Sequence, residues 1–191
     1  MTSPASAAAG FDEAAFERFL ESRDEPDWII QQRRRAFELY LQKSQEELDP
    51  EEWKRVDIRG FNPAAFSLQP TADSAAEFET LMHDRATYAG DVAHVDGTAT
   101  ASRANESLAE RGVIFGNLSE LVHEHRDILE PHLMTRAVHP ETDRFSALHA
   151  AFWTGGTVLY VPRNVNLEEP LHSLIGLSAA GAAELSHTLI I

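Results

Sequence analysis

The stretch that decides the fold is the C-terminal one, in which Thr157-Val158-Leu159-Tyr160-Val161, Val165-Asn166-Leu167, Leu171 to Leu177 and Glu184 to Ile191 form short apolar runs. Pro162, Pro170 and Gly181 separate them. β-Branched residues concentrate here, and between Ser146 and Ile191 the charged residues are only Arg163, Glu168, Glu169 and Glu184. Runs of this length between turn residues read as strands, and their close spacing suits a ribbon wound into successive coils. The final run, Ser186-His187-Thr188-Leu189-Ile190-Ile191, ends on its most apolar residues without a cap. An uncovered apolar edge invites aggregation, so the reading expects a chain cut inside a larger domain.

Upstream of Gly155-Gly156 the periodicity becomes helical. A helix is expected from about Glu141 to Phe152, carrying Phe145, Leu148 and Phe152. Nearer the N-terminus, Phe11, Ala15, Phe16, Phe19 and Leu20 share one stripe. Glu25-Pro26 restarts the chain into a second helix reaching about Lys43, with Ile29 or Ile30, Arg33, Phe37, Tyr40 and Leu41 on its inner face. Pro50, Gly60, Pro63 and Pro70 then interrupt any period, while Trp53, Ile58, Phe61 and Phe66 are too apolar for a free loop. They are expected to anchor the segment across the helices. Ser74-Ala75-Ala76-Glu77 is a capping box ahead of Phe78, Leu81 and Met82. Val92 to Val95 and Gly112 to Phe115 read as strands, Asp96-Gly97 as a turn, and Asn117 with Glu120 as the cap of a helix running to Pro131.

The composition restricts function. The 191 residues carry 31 acidic and 16 basic side chains, a formal charge of −15, which opposes nucleic-acid binding and anionic membrane surfaces. No run approaches the roughly 18 apolar residues of a spanning helix, so the default compartment is the cytoplasm. Cysteine is absent, which removes thiol nucleophiles, thiolate zinc sites and cysteine-ligated clusters from this segment.

Nine histidines remain as candidates for chemistry. His123 and His125, two apart on an expected helix, point to different faces, and no His-Glu-x-x-His sequence occurs. His149, between Leu148 and Phe152, reads as a histidine at the edge of the core. Thr154-Gly155-Gly156-Thr157 lacks the lysine of a phosphate loop and reads as a tight turn. Gly176 to Gly181 is one residue too long for a nucleophile elbow. Arg33-Arg34-Arg35 reads as ion pairs with Glu38 and its neighbours, with a stem packed on aromatics. Glu46-Glu47, Glu51-Glu52 and Glu168-Glu169 read as solvated acidic patches.

Taken together, these motifs resemble the SufB/SufD family of iron–sulfur cluster assembly scaffolds. Glu25-Pro26-Asp27-Trp28 with Arg34 and Ala36, then Glu51-Glu52-Trp53-Lys54 with Asp57-Ile58, look like its N-terminal helical region. Most specific is Ala147-Leu148-His149-Ala150-Ala151-Phe152-Trp153-Thr154-Gly155-Gly156, followed by Leu159-Tyr160-Val161-Pro162-Arg163-Asn164-Val165 and Glu169-Pro170-Leu171. Trp53-Lys54 with Asp57-Ile58, and Pro170-Leu171-His172-Ser173-Leu174, tilt the likeness towards SufD over SufB. Two departures are His149, where the family usually has asparagine, and Asn164, where glycine is common.

The resemblance implies an α+β chain. Residues 1–10, with no bulky side chain beyond the initiator, are expected from composition to be a disordered tail; the resemblance makes 11–153 a mainly helical region with short strands and 154–191 the incomplete start of a right-handed parallel β-helix. Phe145, Leu148, Phe152 and Trp153 would plug the end of the coil stack. It further implies a non-catalytic scaffold of the SUF system, with SufB-like and SufC-like (ABC-type ATPase) partners engaged through parts beyond this segment. No catalytic residue, cofactor-binding residue or metal ligand is expected here, and neither nucleic acid nor membrane as a partner. The competing readings are a histidine- and carboxylate-dependent metal enzyme of β-helical or barrel fold, and a stand-alone interaction adaptor. His149 and His172 are the residues on which the metal reading would turn.

Overall fold

The computed structural model describes residues 10–56, 58, 62–68, 78, 88–178 and 180–191. The chain divides into two compact units, one of Met1–Ser67 with Met134–Phe152 and one of Leu68–Leu133 with Trp153–Ile191. The Ser74–Glu77 capping box, Leu81 and Met82, most of the expected tail, and Gly60, Phe61 and Pro70 lie outside the described residues.

In the first unit, α1 (Glu13–Glu21) starts at Asp12, whose carboxylate accepts the Ala15 N–H at 2.7 Å. Helix α2 (Asp27–Ser44) starts at Pro26, which occupies the capping position rather than the first helical one. A single turn, α3 (Pro50–Trp53), and a 3₁₀ turn at Pro63–Ala65 follow. The unit is completed by a helix, Arg144–Phe152, which begins where Asp143 accepts the N–H groups of Phe145 and Ser146. Phe152 is fully buried at its centre. The rings of Phe11, Phe16, Phe19 and Phe37 lie around it at centroid distances of 5.1, 5.4, 5.5 and 5.8 Å. Phe16 and Phe37 stack on one another at 4.2 Å. Trp53 packs on Phe145 at 5.1 Å, so the proline-rich segment is anchored on this helix as its apolar residues require.

The second unit holds two three-stranded sheets. The hairpin of β1 (Gly90–Val95) and β2 (Thr98–Ala104) turns at Asp96-Gly97, both in the left-handed region at φ 51° and 79°. After the short α4 (Glu106–Glu110), β3 (Ile114–Asn117) leads into α5 (Leu118–Glu124), capped by the Asn117 side chain on Ser119 N–H. The helix expected to reach Pro131 breaks at His125 (φ −122°, ψ 41°), and a single turn, α6 (Arg126–Leu129), follows. With Arg144–Phe152 numbered α7, the last strands are β4 (Gly155–Tyr160), β5 (Leu171–Gly176) and β6 (Ser186–Ile190). Val165 and Leu167 form no strand. They pack instead on the buried cluster of Ala89, Leu108 and Val113.

Strand order corrects the fold expectation. The sheets run β2-β1-β5 and β3-β4-β6, each with one antiparallel and one parallel pair. The α+β class stands, but the described residues form a pair of mixed sheets and not the start of a parallel β-helix. The reason is that the earlier strands supply edges: β5 runs beside β1 from Gly90↔Leu171 to Val95↔Gly176, while β3 lies antiparallel to β4. The described residues form no coil stack for Phe145, Leu148, Phe152 and Trp153 to plug: Phe152 belongs to the aromatic cluster of the helical unit, and Trp153 is buried as part of the sheet unit.

Replacing Phe152 with alanine should remove the partner of four rings at once. A loss of about 3–5 kcal/mol in urea-unfolding free energy is expected, and a loss below 1 kcal/mol would show that the cluster does not hold the helical unit.

Candidate functional site

Two buried polar arrangements stand out, one in each unit. In the helical unit Arg33 is entirely buried on the inner face of α2. Its Nε and Nη2 donate to the two Glu25 oxygens at 2.7 Å each, and Nη1 donates to the Ala151 carbonyl at 3.0 Å. Arg23 donates to Glu25 at 2.7 Å, and the Arg33 guanidinium lies 5.0 Å from the centre of the Phe19 ring. Burial pushes Arg33 down to about 10, against the opposing pull of Glu25, so it remains a cation at neutral pH. Burial also acts to raise the Glu25 carboxyl, but the charges and hydrogen bonds of Arg33 and then Arg23 outweigh it and hold the group below its ordinary value. The partner of Arg33 is therefore Glu25, not Glu38, while Arg34 pairs at the surface with Glu17. This fork ties the start of α2 to the end of α7.

In the sheet unit the polar groups gather around the Asp96-Gly97 turn. Asp96 accepts from Ser178 N–H at 2.7 Å and from Ser178 Oγ–H at 2.6 Å. Glu184 accepts from Gly97 N–H and, at 3.2 Å, from Thr154 Oγ1–H. The buried His94 ring places Nε2 within 2.9 Å of Gly156 O and 3.1 Å of Gly156 N, bridging β1 to β4. Thr157 and Ser173 hydroxyls meet at 2.7 Å between β4 and β5. Burial pushes the His187 imidazole below its ordinary value, which favours its neutral form.

This arrangement explains the two glycines differently from a tight turn. They open β4, and a Cβ at Gly155 would lie 2.7 Å from His94 Cε1, while one at Gly156 would lie 2.0 Å from the His187 carbonyl oxygen. Close approach requires glycine at both positions. Ser178, inside the Gly176–Gly181 segment, spends its hydroxyl on Asp96.

The other sequence candidates fall in different units. His149 lies half-buried on α7 of the helical unit, and His172 lies on β5 of the sheet unit, stacked on Tyr88 at 4.8 Å. Glu46, Glu47, Glu51, Glu168 and Glu169 are exposed. Among the described residues no three histidine, aspartate or glutamate side chains lie close enough to hold a metal ion, and no helix is long and apolar enough to cross a membrane. The sequence singles out neither His94 nor Glu184, and reads Asp96 only as part of the Asp96-Gly97 turn, two residues after His94. What the geometry does is anchor: Asp96 and Glu184, each accepting two hydrogen bonds from turn and loop donors, fix the segment after β5 onto the β1–β2 hairpin.

Residues 17–172 match the family model described as the SufBD protein N-terminal region. The chain belongs to the SufBD family. It is 29% identical over 203 residues to an iron–sulfur cluster assembly SufBD family protein of Mycobacterium tuberculosis, covering 98% of this chain and 23% of that one. It is 26% identical to the iron–sulfur cluster assembly protein SufD of Bacillus subtilis, covering 94% of this chain and 42% of the relative. The SufB protein of the same organism is 21% identical, with 95% of this chain and 41% of that relative covered. The chain thus spans less than half the length of these curated relatives. The SufBD match takes in the Glu25–Arg33 pair, the Asp96 turn and the Ala147–Gly156 motif, which comprises most of α7 and the opening of β4.

Two outcomes are expected. Glu25→Gln leaves a buried guanidinium without its counter-charge and should cost about 3–5 kcal/mol at pH 7. Because the folded carboxyl titrates below its ordinary 4.5, its contribution is full above that pH and disappears as pH falls through the folded value. Urea unfolding at pH 7 and at stepwise lower pH should therefore show the wild-type and Glu25→Gln curves converging in acid. Separately, Gly156→Ala forces a clash with backbone that no rotamer relieves. Amide exchange should show lost protection along β4 and β6, and unchanged protection there would refute the close-approach explanation.

Proposed function

We propose that the chain serves iron–sulfur cluster assembly as the N-terminal region of a SufD-like scaffold that performs no catalysis of its own. The single observation carrying this reading is the family match over residues 17–172, to a region shared by relatives named as iron–sulfur cluster assembly proteins. The SufD likeness is supported by 26% identity to the Bacillus subtilis SufD against 21% to its SufB. The hydrogen-bonded carboxylates of Asp96 and Glu184 and the internally paired Arg33 fit a part whose polar groups hold a shape. On this reading the partners are a SufB-like protein and a SufC-like ABC-type ATPase, engaged through parts beyond this segment in the cytoplasm. The acidic balance, −15 overall, supports protein partners over nucleic acid.

A chimera tests this. The matching N-terminal region of Bacillus subtilis SufD is replaced by this chain and the product is co-expressed with SufB and SufC in cells lacking native SufD. The chimera should co-purify with both and restore at least half the activity of a cluster-dependent enzyme, while the same graft into SufB should do markedly worse. A chimera that is folded by circular dichroism yet neither co-purifies nor restores activity would overturn the reading.

A further inference from the structure

The helical unit contains a cleft of about 310 Å³ that none of the arrangements above uses. Its walls are apolar, from Leu48 and Ile58 of the segment after α2 and from Phe145 and Leu148 of α7. Its polar lining comes from Tyr40, Ser44 and Arg144. Asp143, by capping α7, fixes the backbone on either side of Arg144, the first residue of that helix. The guanidinium donates to the Glu46 carbonyl, and among the described residues no carboxylate pairs with it. Other arginines among the described residues, Arg35, Arg111 and Arg136 among them, also lack a carboxylate partner, but Arg144 is the cation that lines this cleft. No described hydrogen bond engages the hydroxyls of Tyr40 or Ser44 either.

We propose that this cleft binds a small monocarboxylate with an apolar tail, its head on Arg144 and its tail against Phe145, Leu148, Leu48 and Ile58. Three observations select that class. The volume sits at the lower end of the roughly 300–1,000 Å³ of small-molecule pockets, which accommodates a medium-chain or aryl-alkanoic acid. The walls reward burial of a tail. One cation balances one negative charge, whereas a phosphate monoester would bring an excess charge into a strongly acidic protein. A planar guanidinium also matches a carboxylate in bidentate fashion. The site is independent of the assembly role, which rests on the family match, so either can fail alone.

The test is calorimetric titration of the 191-residue chain with octanoate, with octan-1-ol, octylammonium and inorganic phosphate as comparators. Octanoate should bind saturably at one site, at least tenfold tighter than each comparator. Arg144→Gln should reduce octanoate to the level of octanol, with the circular dichroism spectrum unchanged. Ser44→Trp, at an exposed helix end, should obstruct the cleft and abolish binding even if the arginine variant proves unstable. The proposal is overturned by absence of saturable octanoate binding, by equal affinity for octanol or phosphate, or by full affinity in folded Arg144→Gln or Ser44→Trp.

Discussion

The helical unit depends on a single buried cation. Arg33 has no exposed surface, and a guanidinium removed from water is tolerated only if its donors are met by acceptors of suitable geometry. Glu25 supplies two oxygens and the Ala151 carbonyl a third, so the group is neutralised and also fixed in orientation. The carbonyl belongs to the last turn of α7, where acceptors lack helical partners. One side chain thus satisfies a helix end, fixes the entry to α2 and brings Phe152 among the four rings that enclose it. The aromatic cluster supplies the burial energy, and the ion pair selects the arrangement in which that burial occurs.

In the sheet unit the corresponding constraint is backbone proximity. His94 and the β6 carbonyl of His187 occupy the space that side chains at positions 155 and 156 would need. Strand β4 can then lie between β3 and β6 while His94 links it to β1. Asp96 and Glu184 finish the job at the hairpin by accepting from Ser178, Gly97 and Thr154. These bonds tie the segment after β5 to a turn more than 80 residues earlier. The family resemblance carried by Ala147–Gly156 therefore has a physical content: Phe152 fills the aromatic core and the two glycines admit neighbouring chain.

Local chemistry was legible in the sequence wherever the signal lies within a few residues. The stripe of α1, the inner face of α2, the Asp96-Gly97 turn and the Asn117 cap all follow from spacing and side-chain type. Strand β2 was invisible because Thr98 to Ala104 has no apolar face and sits at an exposed edge, where pairing with β1 decides its conformation. The break at His125 was hidden by an apolar stripe that continues across it. The parallel β-helix was expected because consecutive apolar runs look alike, and nothing local tells β5 to choose β1 or β6 to choose β4. Similarly, Glu38 is a nearer guess for Arg33 than Glu25 on a helical surface, but only Glu25 lies with Arg33 in the interior. Of the buried polar cluster, the turn was read and its partners, Ser178 and Glu184, were not.

The discontinuous make-up of the helical unit has a bearing on biosynthesis. Arg33 and the carbonyl it holds are 118 residues apart, so at translation rates of about 5–20 residues per second the α1–α2 pair emerges roughly 6–24 s before α7. Throughout that interval Phe16 and Phe37 present a greasy surface with no lid, while the hairpin and its helices are still being made. The aromatic cluster is therefore completed only when this one late helix emerges.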